Sequence, residues 1–433
     1  MADSAGTRLV RGIHRWDLVA LVINSIIGAG IFGLPARAYA LAGTYSLAAY
    51  LVAAIAIFLV ILCFAEVGSR FNASGGPYLY ARATFGPLVG FQVGWLLWLG
   101  RIAAAASLSN LFVGYVGFFI PAAGIGVWRS VIIVSLIAGL TVVNIVGIRA
   151  TTAVTNVLTV GKLIPLFLVG VGGLFFIDAA RYSGGAPGYT AFSQTALLLV
   201  FTYMGFEGAA IPAGEVREPG RHLPFALIVG LAIVFLTYVL VQVVCIGIVP
   251  DLARSERPLA DASLRFLGAP GASLISLGAL LSMSGTINAL TFASPRILFA
   301  MAENGQLPGM FLTTHSAFRT PVVAIVVTSA VTLSVALVSS FVSALTISAI
   351  VRLIAYATTC AALLVLRRRD TAGSGFTVRG GEWVAVSALA LSVWLLSNSP
   401  LSEMRVAVMA LVMGILVYIV YRGVRIWAAS SLS

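Results

Sequence analysis

Charge is what this chain has least of. Only 9% of its 433 residues are Asp, Glu, Lys or Arg, against 60% hydrophobic, and the mean hydropathy is +1.05. Soluble domains carry about 25% charged residues, so a water-exposed globular fold is excluded and a polytopic membrane protein is expected. Cysteine is scarce as well: Cys63, Cys245 and Cys360 each fall inside an apolar run, where they read as small buried hydrophobes and form no disulfide framework. The three histidines, His14, His222 and His315, are read as solvated loop residues. No Cys/His metal spacing, nucleotide-binding loop or credible catalytic triad is present. An enzyme is therefore not expected, and neither is a metal or a cofactor. Lysine is nearly absent: Lys162 stands alone against 25 arginines.

The formal charge of +12 does not point to nucleic acid, because the arginines cluster between apolar runs. Twelve runs are long enough to hold a crossing: 16–42, 45–68, 85–120, 127–148, 151–177, 192–213, 223–249, 272–301, 321–338, 342–366, 383–396 and 406–421. With twelve spans both termini share a side. Arg8, Arg11, Arg15, Arg70, Arg82, Arg149, Arg217, Arg221, Arg319, Arg367 to Arg369, Arg379, Arg422 and Arg425 lie there. The other side holds mainly Arg129, Arg181, Arg405 and a mixed-charge loop around Arg254 to Arg265. The positive-inside bias makes the termini cytoplasmic in a cell inner (plasma) membrane. No cleavage site precedes the first run, so it is expected to be retained as a span.

Two runs carry helix-breaking glycines. The first contains Asn24-Ser25-Ile26-Ile27-Gly28-Ala29-Gly30-Ile31-Phe32-Gly33; the sixth contains Phe201-Thr202-Tyr203-Met204-Gly205-Phe206-Glu207-Gly208. Each glycine weakens a helix by roughly 1 kcal/mol relative to alanine, and lipid offers no water to the freed backbone groups. Two readings fit such a stretch: a discontinuous helix that binds a ligand, or a glycine face for close helix packing. Five spans separate the paired breaks. The expected architecture is therefore all-α, with twelve transmembrane helices in a 5+5 inverted repeat, helices 1 and 6 broken, and two extra C-terminal helices. The expected segments are a cytoplasmic arm at 1–15, repeats at 16–177 and 178–366, a cytoplasmic loop at 367–381, and the last two helices with the tail at 382–433.

Four ordered blocks resemble the amino acid permease branch of the amino acid–polyamine–organocation superfamily. They are Gly28-Ala29-Gly30-Ile31-Phe32; Ala65 to Phe71 with Ser74 to Tyr78 and Phe85-Gly86-Pro87; Gly205-Phe206-Glu207 with Glu215 to Pro219 and Leu223-Pro224; and Pro295-Arg296 through Ala300 to Gly305 with Leu307-Pro308. The resemblance implies the LeuT-like fold, alternating access and an amino acid substrate. Two features depart from the family pattern: Glu303-Asn304, where an Arg-Asp pair is common, and the intramembrane charges Arg101 and Arg352.

A zwitterion needs an anion site beside a cation site. Amides of Gly28, Ala29 and Gly30 are expected to face the carboxylate. Carbonyls near Ser25 and Ile26, with those of Phe201, Met204 and Gly205 across the break, are expected to face the ammonium. Phe201 reads either as a lid or as packing. Lys162 lies roughly 16 Å along its helix from Thr151, too deep to snorkel. The resemblance implies that its amine replaces a sodium ion between helices 1 and 8, near Ser282, Ser284 and Thr286, and couples transport to protons. A static cap on helix-1 carbonyls is the other reading. Glu207 is an intramembrane acid; the resemblance implies a role in gating, and the residue itself reads equally as a charge partner of Arg101 or Arg352.

The expected function is sodium-independent, proton-coupled transport of amino acids, with neutral side chains favoured because no acid cluster exists to hold a cationic one. An exchanger or exporter of the same fold and a non-transporting sensor are the alternatives. The expected partners are the amino acid, protons and the bilayer, with the oligomeric state open.

Overall fold

The computed structural model describes residues 9–124, 126–338, 341–369, 375–397 and 401–430. Fourteen α-helices appear among them: α1 (Arg15–Ile26), α2 (Gly30–Ala42), α3 (Ser46–Ser69), α4 (Pro77–Phe85), α5 (Pro87–Phe119), α6 (Gly126–Val146), α7 (Ile148–Gly173), α8 (Tyr189–Thr202), α9 (Pro219–Ile248), α10 (Pro258–Glu303), α11 (Val322–Val338), α12 (Phe341–Arg369), α13 (Gly381–Ser397) and α14 (Leu401–Ser430). The sole extended pairing among the described residues is a parallel bridge between Ile13 and Val216.

Eight helical stretches are long and apolar enough to cross a bilayer, and two more, α11 and α13, are apolar but shorter. Length alone does not reach twelve, because the first and sixth runs are divided and α11 and α13 have 17 residues each. Gly147, at φ 125°, turns the chain from α6 into α7, so α7 begins three residues before the expected Thr151. The eighth run begins earlier still, at Pro258, with a kink at Gly268 (φ 67°, ψ −160°) just ahead of Pro270. Proline removes a backbone donor and glycine accepts the left-handed conformation that the bend requires. His222, expected in a loop, falls in the first turn of α9.

α1 is the axis of the bundle. Every residue from Leu18 to Ile26 is buried, and α7, α9 and α10 pack around it. α3 packs on α8, α9 and α13, while α5 packs on α10, α12 and α14. An all-round apolar helix of this kind is stable only when enclosed by others.

At the end of the bundle that carries residues 9–14, charged side chains lock the helices together. The Gly12 and Ile13 amides donate to the Glu215 carbonyl at 2.9 and 3.0 Å, and the Arg217 amide donates to the Ile13 carbonyl at 3.0 Å. Arg296 of α10 grips the Glu215 carboxylate through Nε at 2.6 Å and Nη2 at 2.9 Å. A second buried carboxylate, Glu66 of α3, accepts from Arg367 Nε and Nη2 at 2.8 and 2.6 Å, from Arg70 at 3.2 Å and from the Val378 amide at 2.9 Å.

Arg296→Ala strands a carboxylate that is 2% exposed, a loss of about 3–5 kcal/mol. A lowered thermal midpoint in detergent is expected. The pair replacement Arg296→Met with Glu215→Leu should recover most of it, because no orphaned charge remains.

Candidate functional site

The first run opens between Ile27 and Ala29. Gly28 and Ala29 leave helical hydrogen bonding, and α2 starts at Gly30 with Ala29 as an N-cap that offers no side-chain acceptor. Most of the carbonyls that end α1 are met by side chains of other helices. Lys162 Nζ donates to the Ile27 carbonyl at 2.7 Å and to the Ser282 carbonyl of α10 at 3.2 Å. Ser282 Oγ donates to Ile27 and Gly28, each at 3.1 Å. Thr286 Oγ1 reaches Asn24 at 2.8 Å and Ile27 at 3.1 Å. Tyr238 Oη of α9 lies 3.4 Å from the Ile26 carbonyl and 3.2 Å from that of Thr202. Ser284, expected beside Ser282 and Thr286, makes no side-chain hydrogen bond among the described residues.

The amides show the opposite pattern. Those of Gly28, Ala29 and Gly30 donate to no group among the described residues, and all three residues are half-buried rather than sealed. An uncapped helix start with free N–H groups attracts anions.

The sixth run opens opposite. α8 stops at Thr202, Gly205 takes φ 122°, and Phe206–Ala209 forms a 3-10 turn. No α-helix resumes before Pro219; two short turns carry the chain through Pro212 instead. Gly205 lies against the Ser25 carbonyl so closely that a Cβ there would stand 2.2 Å from it. The ammonium acceptors expected from sequence are thus partly engaged. Ser25 is covered by Gly205, Ile26 faces Tyr238, and the Phe201 carbonyl accepts the Met204 amide at 3.3 Å. Met204 is buried, whereas Phe201 is 38% exposed and does not close over the break.

Glu207 sits next to the second break. Its Oε2 accepts from Tyr356 Oη at 2.7 Å and from the Gly205 amide at 3.0 Å. Phe206 stacks on Tyr356, with Phe64 edge-on to both. Arg101 and Arg352 approach Oε1 at 3.8 and 3.4 Å. Both expected partners of Glu207 are therefore present. Asn24, Thr155, Thr159, Tyr238 and Tyr356 were not singled out from sequence. Asn24 Nδ2 donates to the Thr155 carbonyl at 2.9 Å and to Thr159 Oγ1, tying α1 to α7. A polar residue within an apolar run was the available signal for each.

Apolar helices with two facing interruptions, polar groups turned inward on both, define a carrier embedded in the membrane. A family model described as amino acid permease matches residues 13–418, and the chain belongs to that family. It is a multi-pass membrane transporter and not an enzyme. The chain is 28% identical to a methylthioribose transporter of Bacillus subtilis over 97% of its length and 95% of that protein's. It is also 28% identical to a Bacillus subtilis serine/threonine exchanger, over 94% and 95%. The branched-chain amino acid permease of the same organism is 27% identical over 75% and 74%.

Gly205→Ala adds a Cβ where the Ser25 carbonyl stands and forces a left-handed alanine, a strain of about 1–3 kcal/mol. The variant is expected to insert and fold with a lowered thermal midpoint and to lose substrate binding in equilibrium titration. Gly30→Ala meets only Leu34 Cδ1 at 3.0 Å and Thr202 Cγ2 at 3.8 Å, and should bind more weakly without losing stability.

Proposed function

We propose that the protein carries amino acids across the cytoplasmic membrane by alternating access, without sodium and coupled to protons. The observation that carries this reading is the pairing of free amides at Gly28, Ala29 and Gly30 with a lysine amine bridging α1 to α10. The amides receive the substrate carboxylate. The ammonium lies against the remaining carbonyl capacity of Ser25, Ile26, Phe201, Met204 and Gly205. Lys162 occupies the position that a cation between these helices would take, and no carboxylate stands within ion-pair distance of it among the described residues.

The twelve runs are read as twelve crossings, with spans 1–5 and 6–10 as inverted repeats and α13 and α14 outside them. The arginine bias places both termini in the cytoplasm. The ion-paired end is then the cytoplasmic gate, closed here. Exposure of Gly33 and Phe201 beyond the two breaks supports an outward-open state. The scarcity of acids argues against cationic side chains and leaves neutral and acidic ones. A serine/threonine exchanger among the relatives makes obligatory exchange the second reading.

Uptake into proteoliposomes with an imposed pH gradient and no sodium tests the coupling. Lys162→Ala removes both the bridge and the titrating group, so concentrative uptake should fail. Lys162→Arg keeps a charge that cannot leave and should not rescue it. Exchange surviving in either variant, with no gradient-driven uptake in the wild type, would favour the exchanger. Uptake that requires sodium, or a Lys162→Ala protein that still concentrates substrate, would remove Lys162 from the mechanism.

A further inference from the structure

The charge cluster beside the second break does not balance. Arg101, Arg352 and Glu207 meet at one carboxylate oxygen, two cations against one anion. Arginine does not shed its proton in a protein, so the surplus is permanent. The three side chains are built differently. Arg101 is 1% exposed; its Nε donates to Ser294 Oγ at 3.1 Å and its Nη2 to the Ala289 carbonyl at 3.2 Å. Its guanidinium lies flat on Gly208, where a Cβ would stand 2.9 Å from Nη1. It is a fixed neutraliser of Glu207.

Arg352 is not fixed in this way. Its sole ion-pair partner among the described residues is Glu207 Oε1, at 3.4 Å from a buried Nε that makes no hydrogen bond. Glu207 Oε1 itself is buried and accepts no hydrogen bond from either arginine, while Oε2 is filled by Tyr356 and Gly205. The Arg352 side chain keeps 16% exposure, and its two terminal nitrogens donate to no described group. An accessible guanidinium with a free fork, joined through Glu207 to the Gly205 amide of the second break, is a receptor for a carboxylate.

We propose that Arg352 binds the side-chain carboxylate of the substrate, so that the transported amino acids are dicarboxylic. This rests on the amino acid reading above. The amides at Gly28 to Gly30 take the α-carboxylate, and Arg352, one helical turn before Tyr356 on α12, takes the second one. The bound substrate then cancels the surplus charge at the point where lipid and protein least tolerate it. A free chloride ion is the other source of a single negative charge, and the test separates the two.

The full-length protein in nanodiscs is titrated with L-glutamate, L-aspartate, L-glutamine, L-asparagine and succinate, each in chloride and in gluconate buffer. The acids are expected to bind at least about 30-fold more tightly than their amides, the scale of losing one partner of a buried charged pair. Arg352→Gln should erase that preference. Arg352→Lys, which keeps the charge but not the fork, should retain part of it and guards against a folding defect. Neutral amino acids binding equally to wild type and Arg352→Gln would overturn the proposal. So would neutral binding that needs chloride in the wild type and not in Arg352→Gln, which assigns the site to a halide. If no amino acid binds but succinate protects the wild type and not Arg352→Gln from thermal unfolding, the carboxylate receptor stands and the amino acid reading falls.

Discussion

Everything at the centre of this molecule follows from one constraint: backbone groups released from a helix inside a membrane must find partners in the protein, because there is no water to take them. The chain opens α1 from α2 and meets the consequence with side chains from three other helices. Thr286 and Ser282 of α10, Lys162 of α7 and Tyr238 of α9 supply donors to Asn24, Ile26, Ile27 and Gly28. Those four acceptors are therefore satisfied from within, while the Ser25 carbonyl lies against Gly205 without a donor among the described residues. The donors are not satisfied, and the amides of Gly28 to Gly30 remain open. This asymmetry turns a structural defect into a site with a sign: it is mostly finished on the carbonyl side and unfinished on the amide side.

The breaks and the lone lysine were legible because each is a local anomaly in an apolar background. Three glycines and a charge with no family of charges around it stand out without any knowledge of neighbours, whereas Ser282, Ser284 and Thr286 came from the family resemblance alone. What was not legible depends on partner choice across long separations. Arg367 and Glu66 are 301 residues apart, and Arg296 and Glu215 are 81 apart. Arg70 and Arg367 read from sequence as markers of sidedness, and nothing local says that both converge on one carboxylate. The same holds for the second break. Its glycines announced an interruption, but the absence of a resumed helix after Ala209 comes from Pro212 and from Glu215 being held by Arg296 and the arm.

Two clusters of identical stoichiometry show how position decides the meaning of charge. Glu66 is met by Arg70 and Arg367, and Glu207 by Arg101 and Arg352, so each has one excess cation. The Glu66 arginines are 12% and 21% exposed at a helix end, where solvent and the Leu366 and Val378 carbonyls share the surplus. Electrostatic excess there is screened. The Glu207 cluster has Arg101 sealed at 1% exposure among Ser294, Ala289 and Gly208, with the mutually packed rings of Phe64, Phe206 and Tyr356 beside Glu207. Excess charge in that position is left to Arg352, the arginine of the pair that keeps 16% side-chain exposure.

The same geometry constrains how the carrier can move. Gly205 rests on the Ser25 carbonyl, and Tyr238 joins the Ile26 and Thr202 carbonyls, so the two breaks are tied to each other. The Gly12, Ile13 and Arg217 amides tie the arm to the segment after the second break, and Glu215 ties that segment to α10. α1 and the sixth run are therefore joined on the arm side. The charged pairs at that end, Glu215 with Arg296 and Glu66 with Arg367, add to the same connection. By contrast, the Lys162 bridge at the centre has only carbonyl partners and is fully buried. The Ser282 and Thr286 hydroxyls add to the same α1–α10 contact, and on the proposed proton-coupled reading the amine is the group there whose charge changes, which an arginine in its place would not allow.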